Sequence, residues 1–416
     1  VCRAWSAVIL ALAVLVPFAG RASAATRYDG DGVLTSRGEL QRWYINRARF
    51  APEKEADRLG LNNTTSGGHP DYDVCEDNLG TNDFGTTTNQ WAPWRVSHPP
   101  LAPNALISTA CQKHSQDMAE TRILTHYSPS TNYYALNSAP WTRATAEGYS
   151  WSAYAENIGY GFSTPASLHN ALFVDSGISN RGHRMNILNT MVREVGFGSG
   201  QTNGSSRYDT QDFGRRSTNH FFTDTAFGDV NTNNVYDEGE GAGGIEVHLW
   251  NGTNEALWFD VSTTSGSFAI PINDLPDGKA ITTELRNTNG TARLLTIPMG
   301  FNTVGDVTLA PGESFVLGTF TQPNGLTNIG FRDVMPFTDA AAVTPAGTNI
   351  LVSFAALSRA SYVIESADAS LADSWHPFDT QIASNGAVQF TDCGQCERAP
   401  PNAVGLRFYR VRLNRD

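Results

Sequence analysis

The spacing of apolar residues changes along this chain, and that change limits the folds open to it. From about residue 26 to 215 the spacing is mostly helical, with a few strand-like runs. From 218 onward it is the alternation of β-strands, punctuated by Gly, Asn, Thr and Pro. Ser36-Arg-Gly-Glu39 stands as a capping box ahead of Leu40, Tyr44, Ile45 and Ala48. Pro52 opens a second helix, with Glu53 and Glu55 near its positive end. Asn104 caps a third, carrying Leu106, Ile107, Ala110 and Met118, and another follows Pro165 through Leu168, Leu172 and Phe173. Strands are expected over 194–198 and 207–214. Past 218, Ile245, Val247 and Leu249 alternate with Glu246, His248 and Trp250. Residues 350–354, 362–364 and 408–413 are the clearest strands of the last part. The expectation is an α+β unit over 25–216, then two small all-β sandwich modules over 218–330 and 336–416.

A net charge of −12, with no run of Lys or Arg, argues against a nucleic-acid partner, which needs a basic face. Residues 1–24 read as a secretory signal: Arg3, an apolar run over 7–19, and Ala22-Ser-Ala24 before a cut at Ala25. That run is short for a membrane span, and no later stretch is longer and apolar. The expected location is therefore the cell surface, the periplasm or the medium. Cys75, Cys111, Cys393 and Cys396 would remain, and an even count in an exported chain reads as disulfides. Spacing suggests Cys75 with Cys111 and Cys393 with Cys396, among the three pairings that four cysteines allow. Cys393-Gly-Gln-Cys396 as a redox motif would want a βαβ setting, and the strand-like 388–390 and Pro400-Pro401 around it favour a loop clip. Residues 62–94, rich in Asn, Thr, Gly and Asp, read as an inserted loop.

Four phrases in the first unit are chemically loaded. They are His114-Ser-Gln-Asp-Met118, Leu124-Thr-His126-Tyr-Ser128, Ala155-Glu156-Asn157-Ile158-Gly159, and Asn180-Arg-Gly182-His183-Arg184-Met-Asn186-Ile-Leu188. In this order they resemble the CAP superfamily of cysteine-rich secretory, antigen 5 and pathogenesis-related proteins, and within it the bacterial secreted branch. The likeness spans about 190 residues and ends on the strand Thr210-Gln211-Asp-Phe-Gly214. It implies an α-β-α sandwich with an open cleft holding two His and two acids. Residue by residue these map to His126, His183, Glu156 and Asp175.

Imidazole and carboxylate suit Zn²⁺ or another divalent metal, and a site of that kind can leave room for water. The bland alternative is a hydrogen-bonded polar cluster in a groove. His114 lies on a helix facing core or solvent, and Arg181 and Arg184 brace the loop around His183. No HExxH or GxSxG is present, so the resemblance does not by itself make an enzyme. The leading expectation is a non-enzymatic protein whose cleft takes a small-molecule, lipid or cell-surface ligand. Its rivals are a metal-dependent hydrolase using the same cleft and an adhesive protein working through its β modules.

The second unit opens on a Ca²⁺ loop pattern. Asp229, Asn231, Asn233, Asp237 and Glu240 fall at positions 1, 3, 5, 9 and 12, with the Val235 carbonyl at 7. Asn234 stands where Gly usually serves a left-handed turn. Phe221, Phe222 and Phe227 before it and a strand from Ile245 after it replace the helices of an EF-hand. With Gly243-Gly-Ile-Glu-Val247 the stretch resembles B-type β-sandwich modules of bacterial surface proteins, which implies a stiffening role for calcium. The last unit, with Trp375 and Arg407-Phe-Tyr-Arg-Val411, resembles a small fibronectin-like sandwich.

Overall fold

The computed structural model describes residues 26–27, 34–61, 97–178, 181–202, 206–217, 219–251, 256–275, 278–288, 291–299, 302–322, 327–336, 342–346, 349–355, 361–368, 376–382, 387–392 and 407–413. The leader at 1–24, the loop at 62–94 with Cys75, and Cys393 and Cys396 lie outside these residues.

The fold is mixed α+β, and among the described residues six α-helices lie in the first half. In chain order the first half holds β1 (Thr26–Arg27), α1 (Ser36–Phe50), α2 (Pro52–Arg58), β2 (Ala102–Pro103), α3 (Ala105–Thr121), α4 (Pro140–Ala146), β3 (Ala153–Tyr160), α5 (Pro165–Val174), α6 (Gly182–Leu188), β4 (Glu194–Gly200) and β5 (Tyr208–Arg215). The helix starts follow local chemistry. The Asn104 carboxamide accepts from the N–H groups of Leu106 (3.0 Å) and Ile107 (3.1 Å), and Pro52 and Pro165 open their helices. The first cap falls one residue earlier than expected. Thr35 accepts from the Gly38 N–H at 3.1 Å, and Glu39 turns away from the cap to a buried pairing with Arg42.

β2-β4-β5-β3 form one sheet, β3 at its edge, with helices on both faces. Alternation along β4 assigns the faces. Val195 and Phe197 share a core with Ile45 of α1, Leu168, Leu172 and Phe173 of α5 and Ile187 of α6. Gly196, Gly198 and Gly200 point the other way, and α3 lies directly on them. A Cβ at these three positions would come within 2.4 Å of the Ser108 nitrogen, 2.2 Å of the Cys111 carbonyl carbon and 2.1 Å of the Ser115 oxygen. Cys111 is a buried free thiol among Ile107, Ala144 and Tyr149, and its expected partner Cys75 lies outside the described residues.

Among the described residues the second half is β apart from a 3-10 turn at Phe331–Asp333. It holds β6 (Phe221–Thr225), β7 (Ile245–Trp250), β8 (Ala256–Val261), β9 (Ser267–Pro271), β10 (Ala280–Asn287), β11 (Arg293–Met299), β12 (Asn302–Leu309), β13 (Ser314–Thr321) and β14 (Met335–Pro336). The order β1-β8-β7-β10-β13-β14 makes a six-stranded sheet, beside the pairs β6-β9 and β11-β12. Phe222, Phe268, Val247, Leu285, Leu295 and Phe315 place all three sheets around one apolar core. Two three-stranded sheets follow, β15-β16-β19 and β18-β17-β20, from β15 (Ala342–Ala346), β16 (Asn349–Ala355), β17 (Ser361–Asp368), β18 (His376–Ile382), β19 (Ala387–Asp392) and β20 (Arg407–Leu413).

The α+β unit and the first β module share a buried polar seam. Arg42 of α1 is fully buried and reaches Thr223, Asp224 and Thr225 of β6, while Asn328 donates to the carbonyls of Pro100 and Arg193, both at 2.7 Å. Leu40, Trp43 and Tyr44 of α1 also pack against Phe227 and Tyr236, which flank and enter the 229–240 loop.

Candidate functional site

The mapped residues form two His–acid pairs at the edge strand β3. On one side Glu156 accepts from His126 Nδ1 at 2.8 Å. The imidazole is 49% exposed and the carboxyl 2%, so the acid stands behind the ring. On the other side Asp175 ends α5 in a left-handed conformation at φ 53°. Its two oxygens accept from the His183 backbone N–H (2.9 Å) and from His183 Nδ1 (2.7 Å). Here the ring is 23% exposed and the acid 3%. A proton on Nδ1 leaves a lone pair on Nε2 in each ring.

Consecutive strand residues point to opposite faces, so Glu156 and Asn157 divide the site. Asn157 donates to the His183 carbonyl at 3.1 Å, and Asn186 donates to the Glu156 carbonyl at 3.1 Å and the Asn157 carboxamide at 2.9 Å. The two pairs are thus joined through amides across the strand. Among the described residues no three His, Cys, Asp or Glu groups are placed together as metal ligands. Arg181 and Arg184 brace the turn as expected, donating to the carbonyls of Asp175, Ile178, Phe173 and Val174. His114 is fully buried and meets the Thr125 carbonyl at 2.9 Å.

Three residues of the site were not named from the sequence, although Asp212 lies in the strand phrase that closes the likeness. Arg143 of α4 is fully buried, pairs with Glu156, and donates to the carbonyls of His126 (2.9 Å) and Ser138 (2.8 Å). Asp212 of β5 stands opposite Glu156 in the ladder, and Tyr154 donates to its Oδ2 at 2.9 Å. Burial pushes the Glu156 carboxyl up to about 7, against the pull of Arg143. Burial, and then the Glu156 charge, push Asp212 well above the usual carboxylate range. Asp212 Oδ1 has no donor, and two facing carboxylates cannot satisfy one another unless one keeps a proton. Burial pushes both carboxyls upward, Asp212 the further, so the pair is poised to share one proton. Burial and then Arg143 lower the His126 pKa, which favours the neutral ring. Strand register was the missed signal, because cross-strand neighbours follow from pairing rather than from local spacing.

The 229–240 loop folds on itself. Asp229 accepts from the N–H groups of Asn233 (3.0 Å) and Asn234 (2.7 Å), and Glu240 from those of Val230 and Asp237, both at 3.0 Å. Asp237 Oδ2 accepts from the Asn231 and Asn233 carboxamides, both at 2.7 Å. Asn234 is left-handed at φ 62°, the conformation its place in the loop demands.

No curated protein sequence matches the chain. Solved structures that match part of it include two surface or extracellular proteins. One is an extracellular protein containing an SCP domain from Bacillus anthracis str. Ames, 24% identical, with a TM-score of 0.23 over 29% of this chain and 35% of that one. The other is an outer surface protein from Borrelia burgdorferi, 18% identical, with a TM-score of 0.24 over 29% of this chain and 80% of that one. No helix among the described residues is long and apolar enough to cross a membrane. Residues 96–222, the segment that carries both His–acid pairs, match the model of CAP, the cysteine-rich secretory protein family.

Proposed function

We propose that this is an exported, non-enzymatic binding protein that holds a polar ligand, or the polar head of a lipid-like one, against Nε2 of His126 and His183. One observation carries the reading: each imidazole is partly exposed while the acid that fixes its Nδ1 is buried. Such rings present an oriented, unprotonated nitrogen to whatever enters from outside. The donor set also fits a divalent metal such as Zn²⁺, since metal-bound His commonly rests on a carboxylate behind the ring. The two Nε2 atoms would hold the ion, which would supply a positive centre for an anionic or carbonyl oxygen. Two protein ligands leave most of the coordination to water or ligand, so the expected affinity is modest.

Calorimetric titration of Zn²⁺ into the full chain tests this. Saturable one-to-one binding, lost in His126→Ala/His183→Ala and weakened about 10–100-fold in Asp175→Asn, is the expected result. A folded wild-type chain that takes up no zinc sinks the metal reading. Equal binding by the double variant places the ion elsewhere.

The 229–240 loop supports a second reading, calcium as a structural ion. Asp229, Asn231, Asn233, Asp237 and Glu240, with the Val235 carbonyl, supply the oxygen set, and the left-handed Asn234 gives the turn its shape. Tyr236 inside the loop packs on Trp43 and Tyr44, so calcium would stiffen the seam beside α1. At 2 mM Ca²⁺ and a dissociation constant of about 0.1–1 mM, stabilisation of about 0.6–2 kcal/mol is expected. Thermal unfolding with Ca²⁺ and with EGTA checks it. A midpoint that ignores EGTA, or a Glu240→Gln variant that responds like wild type, is the contrary outcome.

A further inference from the structure

A chain of carboxamides runs through the core behind the two His–acid pairs. Gln41 of α1, Gln211 of β5 and Asn157 of β3 are 3%, 1% and 0% exposed, so each must satisfy its amide inside the fold. Nε2 of Gln41 donates to the Pro165 carbonyl at the start of α5 (3.0 Å), and its Oε1 accepts from Nε2 of Gln211 (2.9 Å). Gln211 stands directly opposite Asn157 in the β3–β5 ladder, and its Oε1 accepts from Nδ2 of Asn157 (3.3 Å). The same Nδ2 donates to the His183 carbonyl, and Oδ1 of Asn157 accepts from Asn186 of α6.

This row of bonds has a direction, and backbone carbonyls set it. Taken alone, a carboxamide can turn over and exchange its oxygen and nitrogen. A carbonyl only accepts, so the Pro165 oxygen requires the NH2 of Gln41. That leaves the Gln41 oxygen for Gln211 and the Gln211 oxygen for Asn157. At the far end the His183 and Glu156 carbonyls require the NH2 groups of Asn157 and Asn186. Were Asn157 to turn over, its oxygen would face the His183 carbonyl and its NH2 would face that of Asn186. Those bonds tie α6, which carries His183, to β3, which carries Glu156.

We propose that Gln211 and Gln41 are positioning residues of the two-histidine site. They lock the Asn157 carboxamide, and Asn157 sets where α6 holds His183 relative to Glu156. The consequence for binding rests on the ligand reading of His126 and His183, but the first test does not.

Amide hydrogen exchange of the full chain without ligand, read by mass spectrometry over 182–188 and 105–121, is that test. Gln211→Leu removes the acceptor that orients Asn157. Exchange over 182–188 is expected to quicken about tenfold, while α3, on the other face of the sheet, keeps its wild-type rate. Gln211→Glu keeps an oxygen toward Asn157 in either protonation state but buries a carboxyl beside Gln41. It is expected to lower the thermal midpoint and yet leave 182–188 protected. Gln41→Leu leaves Gln211 able to turn over. It is expected to act in the same direction by less, and it serves if Gln211→Leu does not fold. Zinc affinity is expected to follow the exchange, about tenfold weaker in Gln211→Leu and near wild type in Gln211→Glu. Wild-type exchange over 182–188 in Gln211→Leu, or in Gln41→Leu, overturns the proposal. Equal loss of protection in Gln211→Leu and Gln211→Glu also overturns it, because α6 would then follow overall stability. A wild-type chain that takes up no zinc removes the metal reading, and the exchange rates still decide the positioning role.

Discussion

Replacing Arg42 with alanine in the full chain is expected to cost about 3–5 kcal/mol of stability, enough to leave much of the protein unfolded at ordinary temperatures. Arg42 lies on the first helix but belongs to both units. Its Nε and Nη2 meet the two oxygens of Glu39 at 2.9 and 2.5 Å. Nη2 also reaches the Asp224 carbonyl (2.8 Å) and the Thr225 hydroxyl (2.9 Å), and Nη1 the Leu101 carbonyl (3.1 Å). Both partners of the ion pair are fully buried. Burial alone raises the Glu39 pKa, and Arg42 is the main force against it, so truncation strands a carboxyl in the seam. The cost is mostly that of the orphaned group. A double variant, Arg42→Leu with Glu39→Gln, is therefore expected to recover a large part of the loss. Urea unfolding of the wild type and the two variants, followed through tryptophan fluorescence, measures both effects. A single-variant loss below about 1 kcal/mol would show that the seam is wet and the units are loosely joined. By the same reasoning a chain ended at residue 216 exposes Arg42, Leu40 and Trp43 together, and is expected to aggregate rather than fold as a free domain.

That seam marks the boundary of what the sequence made legible. Helix starts at Pro52, Asn104 and Pro165 and the strand at 245–250 were readable because caps, prolines and alternation act within a few residues. The cap falls at Thr35 rather than Ser36 because either hydroxyl can cap. His126, Glu156 and His183 each sit in a compact phrase and Asp175 came only by the resemblance; the fold sets Glu156 beside His126 and Asp175 beside His183. Arg143, Asp212 and Tyr154 were not readable, because strand pairing and helix docking bring them in. α1 misleads for a related reason. Its many polar residues suggest a helix with one wet face, yet Glu39, Gln41, Arg42, Arg47 and Arg49 are all buried, because the β module and the other helices cover it on several sides. Cysteine counting says nothing about direction: the Cys111 thiol is buried among Ile107, Ala144 and Tyr149, while its backbone lies against Gly198.

The pair Glu156–Asp212 gives the second large effect, visible as a pH slope. Burial and the Glu156 charge hold the Asp212 pKa well above the ordinary Asp value in the folded chain, and unfolding returns it there. The folded state therefore binds more protons, and stability falls as pH rises above about 4, by about 1.4 kcal/mol per pH unit until the folded group ionises. Asp212→Asn keeps the shape and removes the titration. Its amide can donate to Glu156 as the protonated acid does, and its oxygen can still accept from Tyr154. Relative to wild type the variant is expected to gain stability steadily between pH 5 and pH 8, the two profiles diverging by several kcal/mol at the upper end. Asp212→Ala, lacking the donor, is expected to be less stable than Asp212→Asn at every pH, which separates the shared proton from packing. Urea midpoints at pH 5, 6, 7 and 8 decide the matter. Parallel profiles for wild type and Asp212→Asn would mean that Asp212 is ionised in the fold and that water or Arg143, rather than a shared proton, keeps the two carboxylates together.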